Sequence, residues 1–292
     1  MQESTATQPS AAASTEFTPK EIRLIVLDID GTIAGTSNQV REPVKQAIRA
    51  AQAEGVKVAI ATGRMFRSAL RFHQAVGSDL PLLAYQGALI KDPFTQQVHR
   101  HWPVSQETAH HLLDYFEQPE LRSLLSVHFY INDQLYVREI TPETKIYAER
   151  SGVEAIAVGD LRQVLSDAPT KVLALSDDTD VIERLFGGLR QRYTPAELYL
   201  TKSVATFFEA THPAVNKGVA VKYLAEEVLG LQAENVMTVG DNFNDVEMLE
   251  YAGIGVAMGD APEAVKAIAD WVAPSVELDG AVAAIETFVL SD

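Results

Sequence analysis

Two aspartates one residue apart, Asp28 and Asp30 in LDIDGT, follow the apolar run EIRLIV. Ionised carboxylates repel each other and lose solvation on burial, so such a pair at the end of a buried strand needs a compensating partner. Two more apolar runs end in polar residues, one in Ala61-Thr62-Gly63-Arg64 and one in Gly240-Asp241-Asn242-Phe243-Asn244-Asp245. Asn216-Lys217-Gly218 opens a helical pattern between them. Carboxylate oxygens are the ligands that Mg2+ prefers, and a Mg2+ between Asp28 and Asp241 would offset the repulsion. Thr62 and Lys217, with backbone N–H groups after Asp28 and around Gly63, would complete an anion cradle. An ionised aspartate with a metal-bound phosphate in line is placed to attack phosphorus. Singly, each motif has a plainer reading: a DxD pair as a solvated turn, Thr62 as a helix cap, Lys217 as a surface lysine. Their coincidence at strand ends favours the chemical one, because ligands of open α/β sheets bind beyond the carboxyl ends of the strands.

The elements that must position these residues are legible in the apolar pattern. IRLIVLD (22–28) is β-branched and continuously apolar, as a strand buried on both faces should be. Helical spacing over 42–55, a strand at 56–62, a helix at 64–77 and a strand at 80–87 come next, with short connections. This alternation predicts a doubly wound parallel sheet, a Rossmann-like α/β core with right-handed crossovers. From about Lys91 the character changes to hairpin-like runs, QQVHRHWPV, LLSVHFYIND and QLYVREI, with a polar turn at Asn132-Asp133-Gln134. A helix at 141–152, a strand at 170–176, a helix at 178–190 and strand-like runs to about Ala210 complete an α+β module. The doubly wound rhythm then returns: a helix at 216–230, a strand at 234–241, a helix ending at Gly253 and a C-terminal helix. The expected organisation is a tail at 1–19, a core from 20–90 and 201–292, and an inserted cap domain at 91–200.

The chain has 292 residues, 47% of them hydrophobic, enough for the about two domains that its length suggests. Its formal charge of −16 repels phosphate backbones, which argues against nucleic acid as a partner. A local cationic pocket or a metal still allows small anionic substrates. The absence of cysteine excludes disulfides, thiolate catalysis and thiolate metal sites, and suits a reducing compartment. No apolar run approaches the ~18 residues of a membrane span, so no membrane partner is expected. Residues 1–19 are rich in Ser, Thr and Ala and lack the basic start and apolar middle of a signal peptide. They read as a disordered tail, and the cytoplasm is the default location.

LDIDGT, ATGR, NKG and GDNFND, in that order, resemble the four motifs of the haloacid dehalogenase-like phosphohydrolases. The resemblance spans about residues 22–290, and the insertion between the second and third motifs resembles the type IIB cap of the Cof-type subgroup. It implies a Mg2+-dependent phosphatase acting on a small phosphorylated metabolite through an aspartyl-phosphate, sugar phosphates first, with nucleotide or cofactor phosphates as alternatives. Asp28 would be the nucleophile. Asp30 would be general acid and then base, a role that requires a carboxyl whose pKa its surroundings can push toward working pH. Mg2+ would be held by the Asp28 carboxylate, the Asp30 backbone carbonyl and Asp241. Thr62 and Lys217 would bind the transferring phosphoryl group, helped by Gly63, Arg64 and the N–H of Ile29, whose side chain would lie on the opposite side of the chain. Asn244 would touch substrate or phosphate, Asp245 would orient Lys217 or metal-bound water, and Thr32 would brace the first loop. A phosphomutase or phosphotransferase would use the same nucleophile, and a non-catalytic binding module would keep only the fold.

The family usually has Asn-Gly after the third strand, where this chain has Gln86-Gly87. Asn tolerates left-handed backbone better than Gln, so a different turn is expected there. His99, His101, His110, His111 and His128 match no metal-ligand spacing and read as surface residues. Phe129, Tyr130, Tyr136, Phe207 and Phe208 read as core or hairpin packing, the lesser alternative being that one of them lines the substrate pocket. No motif addresses oligomeric state.

Overall fold

A computed structural model describes residues 21–291; the tail expected at 1–19 lies outside the described residues. The first strands are β1 (Leu24–Leu27), β2 (Lys57–Ile60), β3 (Leu82–Ala84), β4 (Leu89–Lys91) and β5 (Val98–His101). The insertion supplies β6 (Ser126–Ile131), β7 (Gln134–Val137), β8 (Ala155–Ala157), β9 (Lys171–Leu175), β10 (Tyr199–Thr201) and β11 (Phe207–Thr211). The chain then returns with β12 (Val236–Gly240), β13 (Ile254–Ala257) and β14 (Trp271–Val272).

The core is a five-stranded parallel sheet in the order β14-β13-β12-β1-β2, the α/β architecture expected from the alternating pattern. All of β1 is buried because both faces of the sheet are covered. Ile25 and Leu27 join the cluster of Ile48, Ala51 and Ala284, from helices Glu42–Ala53 and Gly280–Phe288. Leu24 and Val26 point the other way, toward Ala220, Val221 and Met248 of helices Lys217–Lys222 and Val246–Tyr251. Each such side chain contributes about 1.5–3 kcal/mol on burial, so the alternation fixes the strand between its two helical layers. With β1 lying between β12 and β2, its C-terminal end meets those of both neighbours. Asp28, Thr62 and Asp241 lie just beyond the ends of these three strands.

The helix expected over 216–230 begins as α-helix and continues as a π-helical stretch, Tyr223–Val228. The strand expected over 80–87 is confined to Leu82–Ala84, because Tyr85 and Gln86 turn left-handed at φ 53° and 62°. Gln86 therefore adopts the backbone form that Asn would hold more readily.

The second sheet has six strands in the order β10-β11-β9-β6-β7-β8. The β6–β7 hairpin turns through Asn132 and Asp133, both left-handed, as a two-residue primed turn requires. Its faces divide by strand alternation. Val127, Phe129, Val172, Ala174 and Phe208 pack with Leu112, Leu113, Ile182 and Leu185, from helices Gln106–Phe116 and Thr179–Arg192. Tyr130, Leu135, Val137, Leu173 and Leu175 form the other face and join the apolar cluster of the core. β8, parallel to β7, was not anticipated; its residues are mostly exposed and carry no apolar period.

Strand pairing argues for domain boundaries other than 90/91 and 200/201. β4 and β5 pair with β3 beside the core sheet, whereas β10 and β11 pair into the second sheet. On that basis we place the inserted unit at about residues 102–211. Hairpin-like composition marked strand type without revealing which sheet would recruit the strand. No helix is long and apolar enough to cross a membrane among the described residues.

Candidate active site

Asp28 leaves β1 with its N–H bonded to Val239 O at 3.0 Å, so neighbouring β12 fixes where its side chain emerges. Its Oδ1 accepts from Lys217 Nζ at 2.6 Å. Lys217 is fully buried and also donates to Asp245 Oδ1 at 2.6 Å. Asp245 Oδ2 accepts from the N–H groups of Asp241 and Asn242, at 2.9 and 3.0 Å. Asp245 thereby fixes both the lysine and the loop after β12.

Asp28, Asp241 and Asp245 each offer an oxygen within 4.8 Å of the others. Burial, opposed by Lys217 and reinforced by Asp245 and Asp30, pushes the Asp28 carboxyl up to about 7. Burial, with the charges of Asp28 and Asp245, pushes Asp241 up to about 9. Three carboxylates face one ammonium, leaving two negative charges uncompensated when all are ionised. An all-oxygen donor set with that deficit fits a hard divalent cation. Asp28 and Asp241 are the better direct donors, because both oxygens of Asp245 are already engaged. Thr32 is buried and its hydroxyl donates to Asp241 Oδ1 at 3.4 Å, which braces the first loop. Gly31, at φ +79°, is required there: a Cβ would collide with the Asp241 carboxylate.

Asp30 is held by arginines. Its two oxygens accept a fork from Arg64, Nε to Oδ2 at 2.7 Å and Nη2 to Oδ1 at 2.6 Å. Arg150, from the inserted helix Pro142–Ser151, adds a contact at 3.4 Å. Burial acts to raise the carboxyl's pKa, but hydrogen bonds and charge from Arg64, with Arg150, outweigh it and hold it below the ordinary value. The arginines therefore favour the ionised form of Asp30 in this arrangement. Arg64 is likewise engaged: it also donates to Asn38 Oδ1 at 2.7 Å and lies over the Phe72 ring, so it serves Asp30 here.

Thr62 is buried, and its Oγ1 accepts from the Arg64 N–H at 3.2 Å. Ile29 buries its side chain in the core, away from the carboxylates, and its carbonyl accepts from Ile33 and Ala34. Asn244 is buried and donates to Gln86 Oε1 at 3.2 Å. Gly63 passes so close to Gln86 that a Cβ would meet its amide.

A cavity of about 370 Å3 separates these loops from the inserted unit. Asp28, Thr62 and Asp241 form its floor, while Glu143, Tyr147, Arg150, Lys171, Phe207 and Glu209 belong to the opposite side. Sequence reasoning does not name these residues as site components, apart from Phe207, one of the aromatics for which a place on the pocket wall is the lesser alternative. The one available signal was a charge inside an apolar strand, as with Glu209 in FFEAT and Lys171 before VLAL. His128, expected at the surface, is fully buried, bonded to the Thr144 hydroxyl at 2.9 Å and packed on Tyr147.

The haloacid dehalogenase-like hydrolase family pattern matches residues 25–285, spanning both sheets and every motif above. The chain belongs to the haloacid dehalogenase-like hydrolases. Phosphatase YwpJ of Bacillus subtilis (strain 168) is 28% identical over 275 residues, covering 86% of this hydrolase and 94% of that protein. The 5-amino-6-(5-phospho-D-ribitylamino)uracil phosphatase YitU of the same organism is 29% identical over 268 residues, covering 88% and 94%. A solved subclass IIB sugar phosphatase of the superfamily superposes with a TM-score of 0.78 at 22% identity, covering 91% of this chain and 98% of that one. At that identity the likeness is one of fold. It extends over the inserted sheet as well as the core.

Proposed function

We propose that this hydrolase is a Mg2+-dependent phosphomonoesterase of the cytoplasm acting on small phosphorylated metabolites, sugar phosphates first. The observation that carries the reading is the buried Asp28–Lys217–Asp245 chain beside Asp241, at the ends of β1 and β12. Asp28 and Asp241 would hold the cation with the Asp30 backbone carbonyl, and bound Mg2+ would compensate the carboxylates and the phosphate charge.

In the first step an Asp28 oxygen bonds to phosphorus as the ester P–O bond breaks, and the leaving alkoxide takes a proton from Asp30. In the second, Asp30 accepts a proton from water as that water attacks the aspartyl-phosphate, releasing phosphate and restoring Asp28. Asp30 must be protonated to act first, so substrate would draw Arg150 away and weaken the charge of Arg64 on it, while the Arg64 fork keeps the carboxyl oriented. Lys217 and the Thr62 loop stabilise charge on the transferring group.

The sugar-phosphate preference is supported by the cavity of about 370 Å3, whose inserted side carries Glu143, Asp177 and Ser176 as hydroxyl partners and Tyr147 and Phe207 as flat apolar faces. It also agrees with the names of the ribitylaminouracil and sugar phosphatases above. The acidic lining and net charge of −16 disfavour nucleic acid.

Asp28→Asn tests the reading. It should abolish hydrolysis of p-nitrophenyl phosphate with Mg2+ while circular dichroism stays native. Turnover near that of wild type would overturn the mechanism.

A further inference from the structure

A buried ion pair in the inserted sheet reaches across to both loops that flank Asp28. Alternation puts Lys171, Leu173 and Leu175 of β9, with Phe207 and Glu209 of β11, on the face that meets the core. Glu209 is in register with Leu173, so Lys171 is its diagonal neighbour, within reach for a long side chain. Lys171 Nζ donates to Glu209 Oε2 at 2.9 Å, with the two side chains 4% and 1% exposed. The same ammonium donates to Gly63 O at 2.7 Å, in the loop after β2. Glu209 also accepts from Gln86 Nε2 at 3.5 Å and from the Ser203 hydroxyl. Gln86 Oε1 in turn accepts from Asn244 in the loop after β12.

As a charge pair alone, Lys171 and Glu209 would seldom repay their desolvation, and apolar residues of similar volume often replace such a pair at little cost. The neighbours on that face are Leu173, Leu175 and Phe207, so an apolar pair would match them. What the charges add is direction. The ammonium fixes a carbonyl beside Thr62, and the carboxylate fixes the amide that holds Asn244. Gln86 has the length to join Glu209 to Asn244 from its left-handed position.

We infer that Lys171 and Glu209 are positioning residues that, with Gln86, align the Thr62–Gly63 loop and Asn244 around Asp28 while the inserted unit is seated on the core. Seating of the cap and geometry at the phosphate end are then one event, which ties turnover to closure. This rests on the phosphatase reading.

The test uses the full chain, Mg2+ and p-nitrophenyl phosphate. K171M/E209M leaves no charge unpaired but removes the partners of Gly63 O and Gln86 Nε2; the desolvation regained offsets that loss, so it should stay folded and melt near the wild-type temperature. Its kcat should fall about tenfold or more with little change in KM, as for slight misplacement of reacting groups. E209Q keeps the acceptor for Lys171 and Gln86 and should retain most of the kcat, which a purely electrostatic role would not allow. A folded double variant with wild-type kcat overturns the inference and leaves the phosphatase reading standing. If the double variant does not fold, K171Q decides: a several-fold lower kcat supports the inference and a wild-type kcat overturns it. A wild-type protein without Mg2+-dependent hydrolysis overturns the phosphatase reading, and this inference with it.

Discussion

Arg64 grips both oxygens of Asp30, at 2.7 and 2.6 Å, from a position 34 residues along the chain. The guanidinium fork matches a carboxylate in a way that an ammonium cannot. Arg64→Lys should therefore keep the charge but free Asp30 to rotate. We expect kcat for p-nitrophenyl phosphate to fall about 10- to 100-fold, with thermal stability nearly unchanged. Steady-state kinetics beside a melting curve check this; an unaltered kcat would show that the fork has no part in turnover.

The charge deficit around Asp28 and Asp241 predicts that Mg2+ stabilises the fold. At a free concentration of about 100 times Kd the gain is about 2.7 kcal/mol. EDTA-treated protein should melt at higher temperature when Mg2+ is restored, and D241N should lose most of that increment. The cation competes with protons on carboxyls pushed up to about 7 and about 9, so the effect should grow from pH 6 to pH 9. A shift equal in wild type and D241N would place the cation elsewhere.

His128, packed behind the Tyr147 wall of the cavity, predicts an acid-sensitive contribution to stability. Burial, with the charge of Lys171, lowers its pKa to about 3, against an ordinary value of about 6.5. Between these values the unfolded chain binds a proton that the folded chain does not, so stability falls as pH falls. At pH 5 the loss relative to pH 8 is about 2 kcal/mol. His128→Gln keeps a partner for the Thr144 hydroxyl and does not titrate, so it should lose about 2 kcal/mol less over that range. Urea unfolding at the two pH values measures the difference, and parallel curves would refute it.

Much of this protein is written locally. Continuous apolar strands, each ending in a polar loop, define a parallel sheet that gathers those loops along its carboxyl edge. That is why Asp28, Thr62 and Asp241 could be placed together from sequence, and Lys217 with them from the helix start at Asn216. Only the tertiary structure decided the partners. Arg150 meets Asp30 across 120 residues and Lys171 meets Gly63 across 108, and no periodicity encodes such pairings. The edges of the inserted unit were hidden for the same reason: a strand's composition records its fit to a sheet, not which sheet receives it. Asp30 shows the division most clearly. Its presence beside Asp28 is a fact of sequence, whereas its ionisation depends on an arginine fork and on how far the folded chain lets water reach it.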